Sequence, residues 1–203
     1  MKKRFLNLSR TLIKKSNPLL DDIKLKEIIY GLENLYLSLT KLLIVLIIAF
    51  IIGIIKECLL FLLSYNFIRL FAFGMHASKS SICAILSLII FITLPFLATI
   101  IEIPLLTKII IASFCLITII LYAPADTHKR PLVNKQKRAN FKYLSIMVSL
   151  FYLVIAFLTS STFLANILLF ALLTESLLIL PLTYKIFKLP YQNYLTYHLK
   201  TIN

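Results

Sequence analysis

The stretch Arg69-Leu-Phe-Ala-Phe-Gly-Met-His-Ala-Ser-Lys-Ser-Ser-Ile-Cys83 is a short polar interruption between two long apolar runs. It holds one of three His and one of three Cys in the chain. Gly74 stands two residues before His76, four Ser/Lys residues follow, and Cys83 opens the next apolar run. A thiol and an imidazole brought to one polar boundary suggest a nucleophile and its base.

The runs on either side set the fold class. Of 203 residues 60% are hydrophobic, and the mean hydropathy is +0.94. A soluble domain holds roughly 45–50% apolar residues. Here the excess is gathered into long runs, which predicts an integral membrane protein. Leu35 to Ala72 as one helix would measure roughly 57 Å, nearly twice a hydrocarbon core of about 30 Å. It is therefore divided at Gly53 to Glu57 into Leu35–Ile55 and Cys58–Ala72. Ile82–Ile101, Ile109–Ala123, Leu144–Leu158 and Phe163–Leu182 complete an all-α polytopic protein of about six membrane segments.

The first 33 residues carry eight Lys/Arg interleaved with Leu6, Leu8, Leu12 and Ile13. This pattern suits an amphipathic helix on an anionic membrane surface. Asn17-Pro18 ends it, and Asp21 or Asp22 caps a second helix through Ile23, Ile28, Ile29 and Leu32. Residues 1–34 thus read as a basic segment at the cytoplasmic face and 35–203 as a single membrane-embedded domain. No secretory signal peptide is expected at the start.

Net charge is +14. The basic residues lie between apolar runs, so they mark the cytoplasmic side rather than a nucleic-acid partner. The N-terminal segment, Arg69–Lys79, the 124–142 loop and the tail then share that side. The turns at 56–57, 102–108 and 159–162 lie outside. Six crossings satisfy this assignment, as do four crossings with a re-entrant first hairpin. Three unpaired Cys form no disulfide framework, and two plausible ligands are too few for a metal site. No cofactor is expected.

A helix N-terminus and a nearby imidazolium favour thiolate over thiol. If Ser80 or Ser81 caps the helix, Cys83 falls in its first turn. Seven residues along one straight helix rise roughly 10 Å, too far for a hydrogen bond of about 3 Å. His76 must therefore come from a loop, which Gly74 helps to turn. The inert alternative makes Cys83 a small buried residue and His76 an interfacial one.

Three blocks weigh against that alternative. The first is Arg69…Gly74-Met75-His76-Ala77…Cys83, the second Tyr122-Ala123-Pro124-Ala125-Asp126-Thr127-His128-Lys129-Arg130-Pro131-Leu132, the third Glu175…Leu180-Pro181. With Tyr30-Gly31-Leu32-Glu33 they resemble accessory gene regulator B (AgrB), the membrane peptidase family of Gram-positive peptide quorum sensing. Phe73 stands where many members carry the first glycine of a Gly-Gly pair. The resemblance implies a multi-pass protein of the bacterial cell membrane with its active site near the cytoplasmic face. It implies cleavage of a short AgrD-like propeptide through an acyl-enzyme thioester on Cys83, with His76 as base. A Cys or Ser of the propeptide then closes a thiolactone or lactone ring. Arg69, Gly74, Asp126, Glu33 and Glu175 are candidate supporting residues. The lipid bilayer and the propeptide are the expected partners, and a homodimer is compatible with the size of the chain. A non-enzymatic peptide exporter or an anchoring protein is the competing class.

Overall fold

The computed structural model describes residues 2–17, 20–75, 80–127 and 131–195. Eight helices account for most of them: α1 Lys2–Ser16, α2 Asp22–Ile52, α3 Ile55–Ala72, α4 Ser80–Ile100, α5 Leu105–Tyr122, α6 Lys135–Leu158, α7 Thr162–Ile179 and α8 Pro181–Ile186. No strand is present among the described residues, only one isolated bridge between Phe73 and Ala125. Five helices are long and apolar enough to cross a membrane: α2, α4, α5, α6 and α7. The 18-residue α3 is not among them; it carries Lys56, Glu57 and Arg69. The protein is an all-α polytopic membrane protein.

Two compact units divide the chain at Ile48 and Ala49. In the first, α1 turns back onto α2: Phe5 stacks on Tyr36 with ring centroids 5.1 Å apart, and Lys14 pairs with Asp22 at 3.2 Å. Asp21 supplies the N-terminal acceptor of α2, its carboxylate taking the Ile23 amide at 3.5 Å and its carbonyl the Leu25 amide at 2.9 Å. The expected short second helix and the first apolar run are one continuous 31-residue helix. Tyr30-Gly31-Leu32-Glu33 lies inside it, because an isolated Gly costs a helix only about 1 kcal/mol.

The break expected at Gly53 to Glu57 falls at Gly53-Ile54. Gly53 adopts φ +83°, its amide donates to Phe50 O at 3.1 Å, and the Ile54 amide donates to Ala49 O at 2.9 Å. This paired closure satisfies the last carbonyls of α2 and needs a left-handed residue, which glycine provides without a steric penalty. Lys56 and Glu57 therefore lie in the first turn of α3 rather than in the turn.

In the second unit α7 is the axle. Twelve of its 18 residues are buried, among them Asn166, Thr174, Glu175 and Ser176, and it packs against α3, α4, α5 and α6. The outer helices invert the soluble pattern. On α5 the exposed large residues include Leu106, Ile110, Phe114, Ile117 and Leu121, at helical spacing, while Ala112, Cys115 and Thr118 face inward. On α6 the inward face is Ser145, Ser149, Tyr152 and Ala156. Small and hydroxyl residues inside, large aliphatics outside, is the arrangement expected where lipid removes any hydrophobic drive between helices and close packing must hold them.

Caps and cross-helix bonds fix the ends. Asn134 Oδ1 accepts from Lys137 N at 3.0 Å to start α6, and Ser161 Oγ accepts from Leu164 N at 3.3 Å to start α7. Asn166, buried on α7, donates from Nδ2 to Ala98 O at 3.3 Å and Ile101 O at 2.6 Å, closing the end of α4. Tyr152 Oη donates to Ser64 O at 2.9 Å. Replacing Asn166 with Leu should cost more stability than replacing Tyr152 with Phe. Ala98 and Ile101 lie where a helix end leaves carbonyls without partners, whereas Ser64 is mid-helix. About 1–3 kcal/mol against about 0.6 kcal/mol is expected, read from thermal unfolding in nanodiscs; equal losses would show that the end of α4 does not need Asn166.

Candidate active site

α3 ends at Ala72, and the chain leaves it in an unusual way. Phe73 has φ +65° and Gly74 φ +101°. A non-glycine residue at positive φ is strained by about 1–3 kcal/mol and persists only where its surroundings hold it. Here they do. The Phe73 amide donates back to Arg69 O at 3.0 Å, and its ring meets Phe141 edge-on at 5.0 Å. Gly74 N donates to Ala125 O and Ala125 N to Ala72 O, both at 2.9 Å, which joins this strip to the segment after α5. Met75 N donates to Leu178 O at 3.2 Å, occupying a carbonyl that the end of α7 leaves free.

Two charged groups hold the strip from inside. Arg69 Nη2 donates to Met75 O at 2.7 Å, and Arg69 Nη1 pairs with Glu175 Oε2 at 3.2 Å. The Glu175 side chain is fully buried and that of Arg69 is 13% exposed. The guanidinium also lies over the Tyr65 ring at 5.5 Å, a cation–π contact. An ionisable pair inside an apolar bundle is costly, so it marks function or an essential strut. Gly74 is packed against it. A Cβ on Gly74 would stand 3.2 Å from Arg69 Nη1 and 3.3 Å from Glu175 Oε1. Glu175 Oε1 has no hydrogen-bond partner among the described residues.

His76 lies outside the described residues, as do His128 and His198. Cys83 is the fourth residue of α4, at the end of its first turn, on a helix that starts at Ser80. It is half-buried, whereas Cys58 and Cys115 are fully buried. It lies within electrostatic reach of Tyr65, the ring over which the Arg69 guanidinium sits. Three of the residues singled out in the sequence thus come together: Arg69, Gly74 and Glu175.

Asp126 sits elsewhere. Its carboxylate accepts from Leu132 N at 3.3 Å, Asn193 N at 3.0 Å and Tyr194 N at 2.8 Å. Both oxygens are occupied by backbone amides, so Asp126 ties the loop after α5 to the segment near residue 193. The buried Tyr184 hydroxyl completes the tie, donating to Asp126 O at 3.1 Å. Burial pushes the Tyr184 phenol well above its ordinary range, which keeps it a donor. Sequence reading missed Tyr184 and Asn193, because a basic tail gives no sign that two of its polar side chains are buried. It also missed Tyr65, whose spacing matches any inward aromatic. Glu33 belongs to the first compact unit, half-buried on α2.

A polar strip pinned inside a bundle of apolar helices, with a half-buried thiol in the first turn of the helix that follows it in the chain, belongs to a polytopic membrane protein with a polar interior site. The accessory gene regulator B family matches the chain over residues 7–179. The chain is 34% identical over 155 residues to accessory gene regulator protein B of Staphylococcus carnosus, covering 76% of this chain and 80% of that protein. A putative AgrB-like protein of Listeria innocua is 33% identical over 170 residues, covering 83% and 82%. One from Clostridium acetobutylicum is 28% identical over 177 residues, covering 86% and 84%. No solved structure matches. The chain belongs to the AgrB family, which gives it a role in the accessory gene regulator system of quorum sensing.

Arg69→Ala and Glu175→Ala should each destabilise by about 3–5 kcal/mol, since each strands a buried charge. The double variant should lose much less than the sum of the two. Unfolding of the four proteins in nanodiscs measures the coupling, and additive losses would mean that the pair is not one unit. Gly74→Ala should also lower stability, by at least about 1 kcal/mol, from its φ and its contact with the pair.

Proposed function

We propose that the protein is a membrane cysteine endopeptidase that cleaves a short AgrD-like propeptide, with Cys83 as nucleophile and His76 as base. The observation that carries this reading is the placing of the one partly exposed thiol of three in the first turn of α4, within electrostatic reach of the Tyr65 ring over which Arg69 sits. That pair holds the carbonyl of Met75, the residue immediately before His76. A base carried by a loop acts well only if the loop returns to one geometry, and a charged strut anchored in α7 supplies that constraint.

The chemistry follows from the two side chains. Cys83 Sγ loses its proton to the His76 imidazole and attacks the scissile carbonyl. The carbonyl oxygen takes the negative charge, and amide donors at the start of α4 stabilise it. The C–N bond breaks, and the leaving amine takes the proton from the imidazolium. The thioester retains the acyl group for a Cys or Ser of the same propeptide. That group gives its proton to the His76 imidazole as it attacks the thioester carbonyl, and the C–S bond to Cys83 breaks, which forms the thiolactone or lactone and returns Cys83 as thiolate. Exclusion of water from the thioester favours ring closure over hydrolysis, a condition that a site at the edge of a bilayer meets. The distribution of basic segments supports a site near the cytoplasmic face of the bacterial cell membrane. Residues 35–203 act as the peptidase domain, 1–34 are the basic segment on the cytoplasmic side, and a homodimer is consistent with the reading.

Co-expression with the cognate propeptide tests this, with peptide size and protein abundance followed together. Cys83→Ala and His76→Ala should each abolish cleavage, and the double variant should be little worse than either alone. Cys58→Ala and Cys115→Ala should still cleave, because both thiols are fully buried. Cleavage at the normal position by Cys83→Ala would refute the peptidase reading and leave an exporter or anchoring protein.

A further inference from the structure

Outside the candidate active site, a cavity of about 330 Å³ opens where α5 ends and α6 begins. Its floor is the extended segment 123–126, its walls are the first two turns of α6 and residues 191–194, and Leu121 stands at its rim. Lys135, Arg138 and Lys142 line it, three cations at i, i+3 and i+7 on one helical face. Arg138 and Lys142 are half-buried. None of the three forms an ion pair with a described residue, and the one carboxylate on the lining, Asp126, is committed to three backbone amides.

This charge arrangement is unfavourable on its own. The first turn of α6 has no acidic residue, and cations at a helix N-terminus oppose the helix dipole. Like charges at this spacing also repel. An anion in the cavity relieves both effects, because cations and dipole then act on it together. The donors suit a phosphate. The Arg138 guanidinium carbon sits 3.2 Å from the centre of the Tyr194 ring, which holds the group in place, and burial raises the Tyr191 phenol, which keeps it protonated and able to donate.

The position selects the source of the phosphate. The polar start of α6 gives way to apolar residues after Lys142, and α5 ends at Tyr122. The cavity therefore lies at headgroup depth, where Lys, Arg and Tyr gather at membrane interfaces. Leu121 at the rim is 61% exposed on the outward apolar face of α5, where an acyl chain would lie. Basic pockets between membrane helices at this level hold anionic headgroups. We propose that this cavity is a binding site for the phosphodiester headgroup of an anionic phospholipid. The inference goes beyond the peptidase reading and does not depend on it.

Native mass spectrometry of the full chain, released from neutral detergent containing phosphatidylglycerol and phosphatidylcholine, tests the site. The wild type should retain one phosphatidylglycerol in preference to phosphatidylcholine. Arg138→Ala/Lys142→Ala should lose about 30-fold in that affinity, at a factor of about five per basic side chain. Lys56→Ala/Lys108→Ala removes the same charge elsewhere and should bind as the wild type does. Equal losses in the two double variants would reduce the effect to diffuse surface charge and overturn the site. Binding of inorganic phosphate without retention of the lipid would assign the cavity to free phosphate and overturn the lipid. Binding of an acidic peptide without retention of the lipid would make it a peptide site, with the same result. A measurement that needs no variant is crosslinking of the wild type by a photoactivatable phosphatidylglycerol. Label should concentrate in residues 121–142 and 191–195, and label spread evenly over all basic helix ends would overturn the proposal.

Discussion

The Arg69–Glu175 ion pair is the contact on which the second compact unit depends. It joins α3 to the central α7 with the carboxylate fully buried and the guanidinium nearly so, and its geometry is extended outward through Met75 O and through the tight approach of Gly74. An apolar pair of the same volume could pack α3 on α7 equally well. It could not hold a backbone carbonyl or give the strip after α3 a fixed course. The charges therefore set direction more than they add stability, and the Ala125 bridge and the Leu178 carbonyl complete the constraint.

Much of the fold was legible because a membrane leaves few choices. Long apolar runs must be helices, and Gly53 and Pro104 mark where two of them begin or end. The boundaries slipped where the local signal was weak. Gly31 did not interrupt α2, and Lys56, Glu57 and Lys108 entered helix starts rather than turns, since lysine side chains can reach an interface from inside a first turn. The enclosure of α7 was visible only as uniform hydropathy, which separates a buried helix from a lipid-facing one poorly.

The site was legible in its residue types and not in its partnerships. Arg69, Gly74, Cys83 and Glu175 stood out from their apolar surroundings, because a membrane segment keeps a polar residue only for a reason. That Glu175 binds Arg69, 106 residues away, has no local signature. Asp126 shows the reverse case: a carboxylate beside a histidine invites a catalytic reading, while its two oxygens are filled by amides from a distant stretch of chain. Phe73 is the most informative departure. Its position calls for a residue tolerant of positive φ, so the Phe at this site is held by its ring contact with Phe141 and by the bonds around it.

The central position of α7 has a consequence for biogenesis. The axle of the unit follows α3, α4, α5 and α6 in the chain, so these four emerge before the surface they pack on exists. Arg69 reaches the bilayer well ahead of its carboxylate. At ordinary synthesis rates the intervening stretch takes roughly 5–20 s to appear. Through that interval the guanidinium must remain at the headgroup level or in the translocation machinery, and it is drawn inward only when Glu175 arrives. Assembly of the bundle and delivery of this charge to the interior are then a single late event, so truncation before α7 would leave a set of helices with a stranded cation rather than a smaller working protein.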